Sequence, residues 1–390
     1  MCVQGCKSGA LTRAEVVASI AGASLFAFGK PASAAASAPR DESYPELPEP
    51  PSRLSAGASY AVGYARGSDL IVRSFGELQS LARSIADGEL RTQVRSFLEN
   101  PAPRYAARLR DAAVRDTVRS ELLQAGYIER LDAIDAFLPG ASQDFSQAPQ
   151  PFWATAGSGQ DSHHAYPGGL VLHELFNARA AVALAADYDR TYFGGVRTIS
   201  RDTVVAAALY HDVMKTVVFQ WNVDGRLSIE PNIAGTGAHH VLSGAEAIAR
   251  GHDARFVTVV LSAHAAPSLG DETKVIAWAT AAAMIAGVDP VEYGLLKRSG
   301  TAYVLAQPPP IEAFINNLSD HDYVLSVHAM HEVAPRLDAL MISKFRSDGT
   351  LWRRNGLLAN TSAIRWYEAL SRGERAFEAL VRAELAKAGL

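Results

Sequence analysis

From His163 to Ala286 the chain repeats one theme: apolar stretches at helical spacing, each cut off by a short polar break. That alternation restricts the fold more than any other feature. A segment with a 3.6-residue apolar period buries its face only by packing against neighbouring elements. Leu170–Tyr188, preceded by YPGG, reads as one helix, and Thr203–Thr216 as a second. His240–Arg250 is a third, ending at Gly251. Asp253 can cap a fourth, whose Phe256, Val259, Val260 and Ala263 form a stripe leading to His264. Lys274–Ala286 is another buried-looking helix. Only Val217–Pro231 changes character, with β-branched and aromatic residues flanking Asp224-Gly225, a hairpin signal. The expectation is an all-α fold with one small β-hairpin insertion.

The flanks carry the same period. FGELQSLARSIADG places Phe75, Leu78, Leu81 and Ile85 at helical spacing and ends at Gly88. Val114–Leu138 repeats the pattern with Gly126 as an internal stop, and a Ser/Gly/Gln/Pro-rich loop runs from Pro139 to Ser162. The tail from Pro308 is helical again. This suggests an N-terminal helical region over 60–150, a central domain over 151–300, and a C-terminal helical region over 301–390 packing on that core.

The first residues read as an export signal. Lys7 and Arg13 supply positive charge, Val16–Phe28 is apolar, and Ala32-Ser33-Ala34 fits a small-x-small cleavage site. Residues 1–34 would then be the signal and 35–59 a Pro/Ser-rich linker. LTRAEVVA is similar to a twin-arginine export motif, except that Ala14 stands where the second arginine belongs. The mature protein is expected to be periplasmic or secreted, with no membrane span after cleavage. Both cysteines, Cys2 and Cys6, lie in the signal, so any metal downstream must be held by histidines and carboxylates. A formal net charge of -4 gives no electrostatic case for a stable nucleic-acid partner.

One stretch does not fit a plain helical core. In LYHDVMK, at 209–215, an imidazole, a carboxylate and an ammonium follow the apolar run Val204–Leu209. Such groups cost several kcal/mol to bury unless paired or bound to a metal, roughly 2–7 kcal/mol even for a neutral polar group. Of eleven histidines, His173, His211, His239, His240 and His264 share apolar helical company. Several histidines on successive helices, together with an aspartate, point to a shared cation. Nitrogen and carboxylate donors suit a divalent transition metal such as Mn, Fe, Zn or Ni.

The ordered set HHAYPGGLVLHE, LYHDVMK, TGAHHVLSGAEAI and LSAHA resembles the HD superfamily of metal-dependent phosphohydrolases, nearest the branch that includes bacterial 3′–5′ exoribonucleases. The similarity covers about residues 160–290. It implies an HD-type helical bundle holding one or two ions. His173, His211, Asp212, His240 and His264 match the metal ligands, with His239 the rival to His240. Asp212 could bridge two metals. Lys215 matches the lysine that neutralises a phosphate oxygen, and His164, with His163, is placed to move a proton. The implied activity is hydrolysis of a nucleotide or another small phosphoester by metal-activated water. In the family the last ligand is an aspartate on the helix after His264, where this chain has Thr280. Its loss would fit an alternative, a degenerate HD domain that binds a ligand or partner without catalysis. The dipeptide His321-Asp322 repeats the HD letters without the surrounding pattern.

Overall fold

The computed structural model describes residues 46–129, 150–345 and 349–387. The export signal, both cysteines, part of the linker and the second half of the Val114–Leu138 segment lie outside the described residues. What is described is mostly α-helical, as the periodicity requires. The N-terminal region contributes α1 (Ala56–Gly67), α2 (Asp69–Arg83), α3 (Gly88–Glu99) and α4 (Ala112–Gln124). Each starts on a side-chain cap: Ser55, Ser68, Asp87 and Asp111 accept from backbone N–H groups of the first turn. Gly88 therefore opens α3 rather than closing α2, because the Asp87 carboxylate captures the Leu90 N–H at 2.8 Å. Gly126, at φ 70°, follows the end of α4.

The central helices are α5 (Gly169–Tyr192), α6 (Arg201–Tyr210), the short α7 (Lys215–Val218), α8 (Ala238–Ala249), α9 (Ala254–Leu261) and α10 (Glu272–Ala286). Asp253 caps α9 as expected, accepting from Phe256 N at 2.8 Å. The single helix expected over Thr203–Thr216 is instead broken. After Tyr210 the backbone tightens into three-residue hydrogen bonds, Val213 N to Tyr210 O and Lys215 N to Asp212 O, before α7 resumes. That break re-aims Asp212 and Lys215, which matters below. By length and composition α5 alone among the described helices could cross a membrane. However, 56% of its apolar window is buried inside the protein, against α2, α6 and the tail.

The tail forms α11 (Ile311–Ser319), α12 (Tyr323–Phe345), α13 (Thr350–Thr361), α14 (Ala363–Ser371) and α15 (Glu374–Lys387). One hydrophobic cluster draws on Phe75 and Phe97, on Leu170 and Val260, and on Met330 and Trp366. The three stretches of chain thus share a core. The expected hairpin is present only as a single bridge, Trp221 to Leu227, turning at Gly225 with φ 89°. Two more antiparallel pairs occur: β1 (Asn232–Ile233) with β2 (Thr236–Gly237), and β3 (Leu296–Ser299) with β4 (Ala302–Leu305). Neither was expected. In LKRSGTAYVL only Gly300, at φ 61°, marks the turn.

The end of α6 is tied down by an uncharged network. Tyr210 Oη lies 2.6 Å from His252 Nε2, and Tyr293 Oη donates to the His252 carbonyl. Burial, then Arg250, pushes the His252 imidazole down to about 4. The fold therefore resists protonating a group that titrates near 6.5 when unfolded. Its contribution is complete above pH 6.5 and is lost as pH falls towards 4. With His252 only half-buried, the loss should be about 1–2 kcal/mol. Urea unfolding of wild type and His252→Asn at pH 7 and pH 4.5 should show the wild type losing about 1 kcal/mol more than the variant.

Candidate metal centre

The site is assembled from the loop before α5 inwards. Gly157 N and Tyr166 N both donate to His164 O, at 2.9 and 2.8 Å, and Gly169 N donates to Tyr166 O. A Cβ on Gly169 would stand 1.9 Å from His164 O, and one on Gly157 would meet His164 Cβ at 2.5 Å. The glycines serve this close backbone approach. His164 itself has φ 51° and spends both ring nitrogens: Nε2 lies 2.6 Å from Asp322 Oδ2 and Nδ1 2.9 Å from Tyr166 Oη. It ties the loop to the start of α12. The neighbouring His163, partly exposed, is the ring that faces the centre, 4.8 Å from the His173 ring.

Two buried carboxylates form the middle of the site, Asp212 and Asp320. On one face, His173 Nε2 stands 3.1 Å from Asp212 Oδ2 and 3.1 Å from Asp320 Oδ1. His211 Nε2 stands 3.4 and 3.3 Å from the same two atoms. On the other face, His239 Nε2 is 3.2 Å and His264 Nε2 3.6 Å from Asp212 Oδ1, and His264 Nε2 is 3.3 Å from Asp320 Oδ2. Donors bound about 2.0–2.1 Å from one cation stand about 3.0–3.4 Å apart in octahedral or tetrahedral arrangements. The observed spacings are close to that range. Four groups of such side chains have ligand atoms within 4.8 Å of one another, including His173/His211/Asp320 and His211/Asp212/His264.

The imidazole tautomers argue in the same direction. His211 Nδ1 donates to Ala208 O at 2.7 Å, and His239 Nδ1 to the Glu230 carboxylate at 2.5 Å. Each neutral ring then turns a bare Nε2 lone pair towards a carboxylate oxygen, a repulsive arrangement. Those Nε2 atoms and both Asp212 oxygens make no hydrogen bond of good geometry. Either a proton or a cation must sit between them, and a histidine held by a carboxylate on its far nitrogen is a common metal-ligand arrangement. The group can therefore hold a metal ion.

Without a cation, protons balance the charge. Burial opposes it, but Asp212, Glu174 and Asp320 together hold His211 well above its ordinary value, and His173 rises to about 9 against burial and Lys215. Burial likewise opposes ionisation of the aspartates, yet His211 and Lys215 hold Asp212, and His264 and His211 hold Asp320, well below the carboxylate range. Burial pushes His264 down to about 3 despite Asp320. A divalent ion would displace the shared protons. Beneath the ligands, Glu174 is buried with neither oxygen hydrogen-bonded, and burial pushes it up to about 8. Asn177 Nδ2 donates to Asp320 Oδ1 at 2.9 Å.

Of the residues singled out in the sequence, His173, His211, Asp212 and His264 come together. His240 joins His239 and His264 in a further group whose ligand atoms lie within 4.8 Å of one another. Its Nδ1 faces Thr236 Oγ1 and its ring stacks on His264 at 3.5 Å, while His239 takes the place against Asp212. Lys215 is fully buried, ion-paired with Asp212, and donates to Gly157 O at 2.5 Å. It is not a solvated helix-end lysine. Thr280 lies in α10 and donates to Ile276 O. A second carboxylate not singled out in the sequence, Asp320, stands among these histidines at the end of α11, beside the His321-Asp322 dipeptide. Comparison of the chain with family models, with curated proteins and with solved structures gives no match.

These placements separate two residues. Asp320→Asn should weaken binding of Mn²⁺ or Zn²⁺ by about 100-fold or more, whereas Thr280→Val should change it by less than about threefold. Competition titration of the two purified variants reads the difference. Unchanged affinity in Asp320→Asn would remove that carboxylate from the ligand set.

Proposed function

We propose that this chain is an exported, metal-dependent phosphohydrolase of the HD type, acting on a nucleotide or another small phosphoester. The observation that carries the proposal is a pair of buried carboxylates, Asp212 and Asp320, each faced on both oxygens by imidazole nitrogens. His173, His211, His239 and His264 with the two aspartates would hold one or two ions of Mn, Fe, Zn or Ni. A bound cation supplies Lewis acidity towards a phosphoryl oxygen and lowers the pKa of water towards neutrality.

The side chains around it have separable tasks. Lys215 keeps Asp212 ionised and fixes its direction through a second bond to the Gly157 carbonyl. Glu230 and the Ala208 carbonyl set the His239 and His211 tautomers so that Nε2 is free to ligate. His163, partly open to solvent beside His173, is the imidazole available to pass a proton to a leaving group. His164, bonded at both nitrogens, positions that loop and does not itself move the proton. Asp320 beside the histidines supplies a second carboxylate, which supports the catalytic reading over a binding-only domain.

Purified protein, loaded in turn with Mn²⁺, Fe²⁺, Zn²⁺ or Ni²⁺, should hydrolyse bis-p-nitrophenyl phosphate or nucleotides. Asp212→Ala should lower that rate by at least about 100-fold. Absence of turnover with every metal, or equal rates in the variant, would defeat the proposal. Export predicts a mature N-terminus at or near Ala35 when the full chain is made with its signal intact, which N-terminal sequencing of the secreted product reads.

A further inference from the structure

A cleft of about 380 Å³ opens beside the centre, at the small end of the roughly 300–1,000 Å³ usual for ligand sites. It touches the centre at three points. Ser162 precedes His163, the Phe219 ring stands 5.7 Å from the His239 ring, and Glu230 bonds His239. One side is apolar, formed by Phe219, Leu227 and Ile229; the other carries the hydroxyls of Ser158, Ser162 and Ser228. Glu230 is its single ionisable lining residue among the described residues, and it is acidic.

The nearby cations are committed elsewhere. Lys215 is buried against Asp212 and the Gly157 carbonyl. Arg354, 2% exposed, pairs with Asp161 at 3.2 Å and Asp338 at 3.0 Å, holding the Ser158–Ser162 loop against α13. Arg226 sits in solvent with Asp224. A phosphoryl group at the metal centre would meet positive charge there, whereas every further phosphate would lie in a cleft that no cation lines among the described residues, and would face the Glu230 carboxylate. Each unmatched like-charge contact near a protein surface opposes binding.

We infer that the substrate carries one phosphoryl group on a small, uncharged and partly apolar alcohol or phenol, and that polyphosphates and oligonucleotides are excluded by charge. This rests on the hydrolase reading above and narrows it. The organic part lies against Phe219, Leu227 and Ile229, and the Ser162 hydroxyl, which accepts from Ser158, is free to donate to its oxygens, while Ser228 is bonded to Val218 O and Gln220 N.

The test compares two terminal phosphoryl donors on the Mn²⁺-loaded full protein: p-nitrophenyl phosphate and inorganic tripolyphosphate. Wild type should favour the aryl ester in kcat/KM by at least about 100-fold. Ile229 is 94% exposed, so Ile229→Lys should fold as wild type while placing an ammonium in the cleft. It should narrow the ratio by about tenfold, through faster cleavage of tripolyphosphate. Equal cleavage of both compounds by wild type, or a ratio that Ile229→Lys leaves unchanged, overturns the charge selection while the hydrolase reading stands. Turnover of nucleotides or diesters but of neither compound overturns the substrate inference alone, and no turnover of any of them overturns both.

Discussion

Burying two carboxylates side by side is the constraint around which this molecule is built. Asp212 is fully buried and Asp320 nearly so, in a helical core that offers little dielectric screening. Neither could remain ionised there alone. The surrounding imidazoles, Lys215 and Asn177 answer that demand from every side, and the imidazoles arrive from four separate segments of chain. Each residue in this ring is explained by the charge it faces. The break after α6 belongs to the same logic, since it lets Asp212 and Lys215 meet within a short stretch.

The flanking helices are part of this arrangement. α11 delivers Asp320, and the turn after it delivers Asp322 to His164. α13 delivers Arg354 to the loop that carries His163. From the other end of the chain, Glu246 on α8 accepts from Arg104 N and Tyr105 N, and Arg108 donates to the last carbonyls of α10. The tail therefore supplies ligand and supports, while the N-terminal region braces the helices behind them. The core is one body because the site is.

How much of this was legible in the sequence depends on the range of the interaction. Helical period identified the helices, and Asp253 marked its own, because both signals are local. The break in LYHDVMK was not legible: its apolar pattern runs on smoothly, and the backbone turns there to satisfy side chains contributed by other segments. Four members of the cluster could be read because His173, His211, Asp212 and His264 stand in ordered motifs. Asp320 could not. The unexpected β3–β4 pair and a long connection separate it from His264, and α10, the next helix in order, faces elsewhere. Its signal was the second HD dipeptide, one residue along, which only the packing of α11 on α5 makes meaningful. Choosing between His239 and His240 likewise depended on Glu230, a residue from the preceding strand-like segment.

The spread of the ligands along the chain has a consequence for how the protein matures. His173 belongs to the start of the central stretch and Asp320 to the tail, yet they meet at the same centre. An ion captured there acts as a removable cross-link, closing a very long loop whose ends would otherwise have to find one another by diffusion alone. Chelation would loosen the tail from the core and the core from its own middle at once. Supply of the ion would then set the lifetime of the folded chain as well as its chemistry.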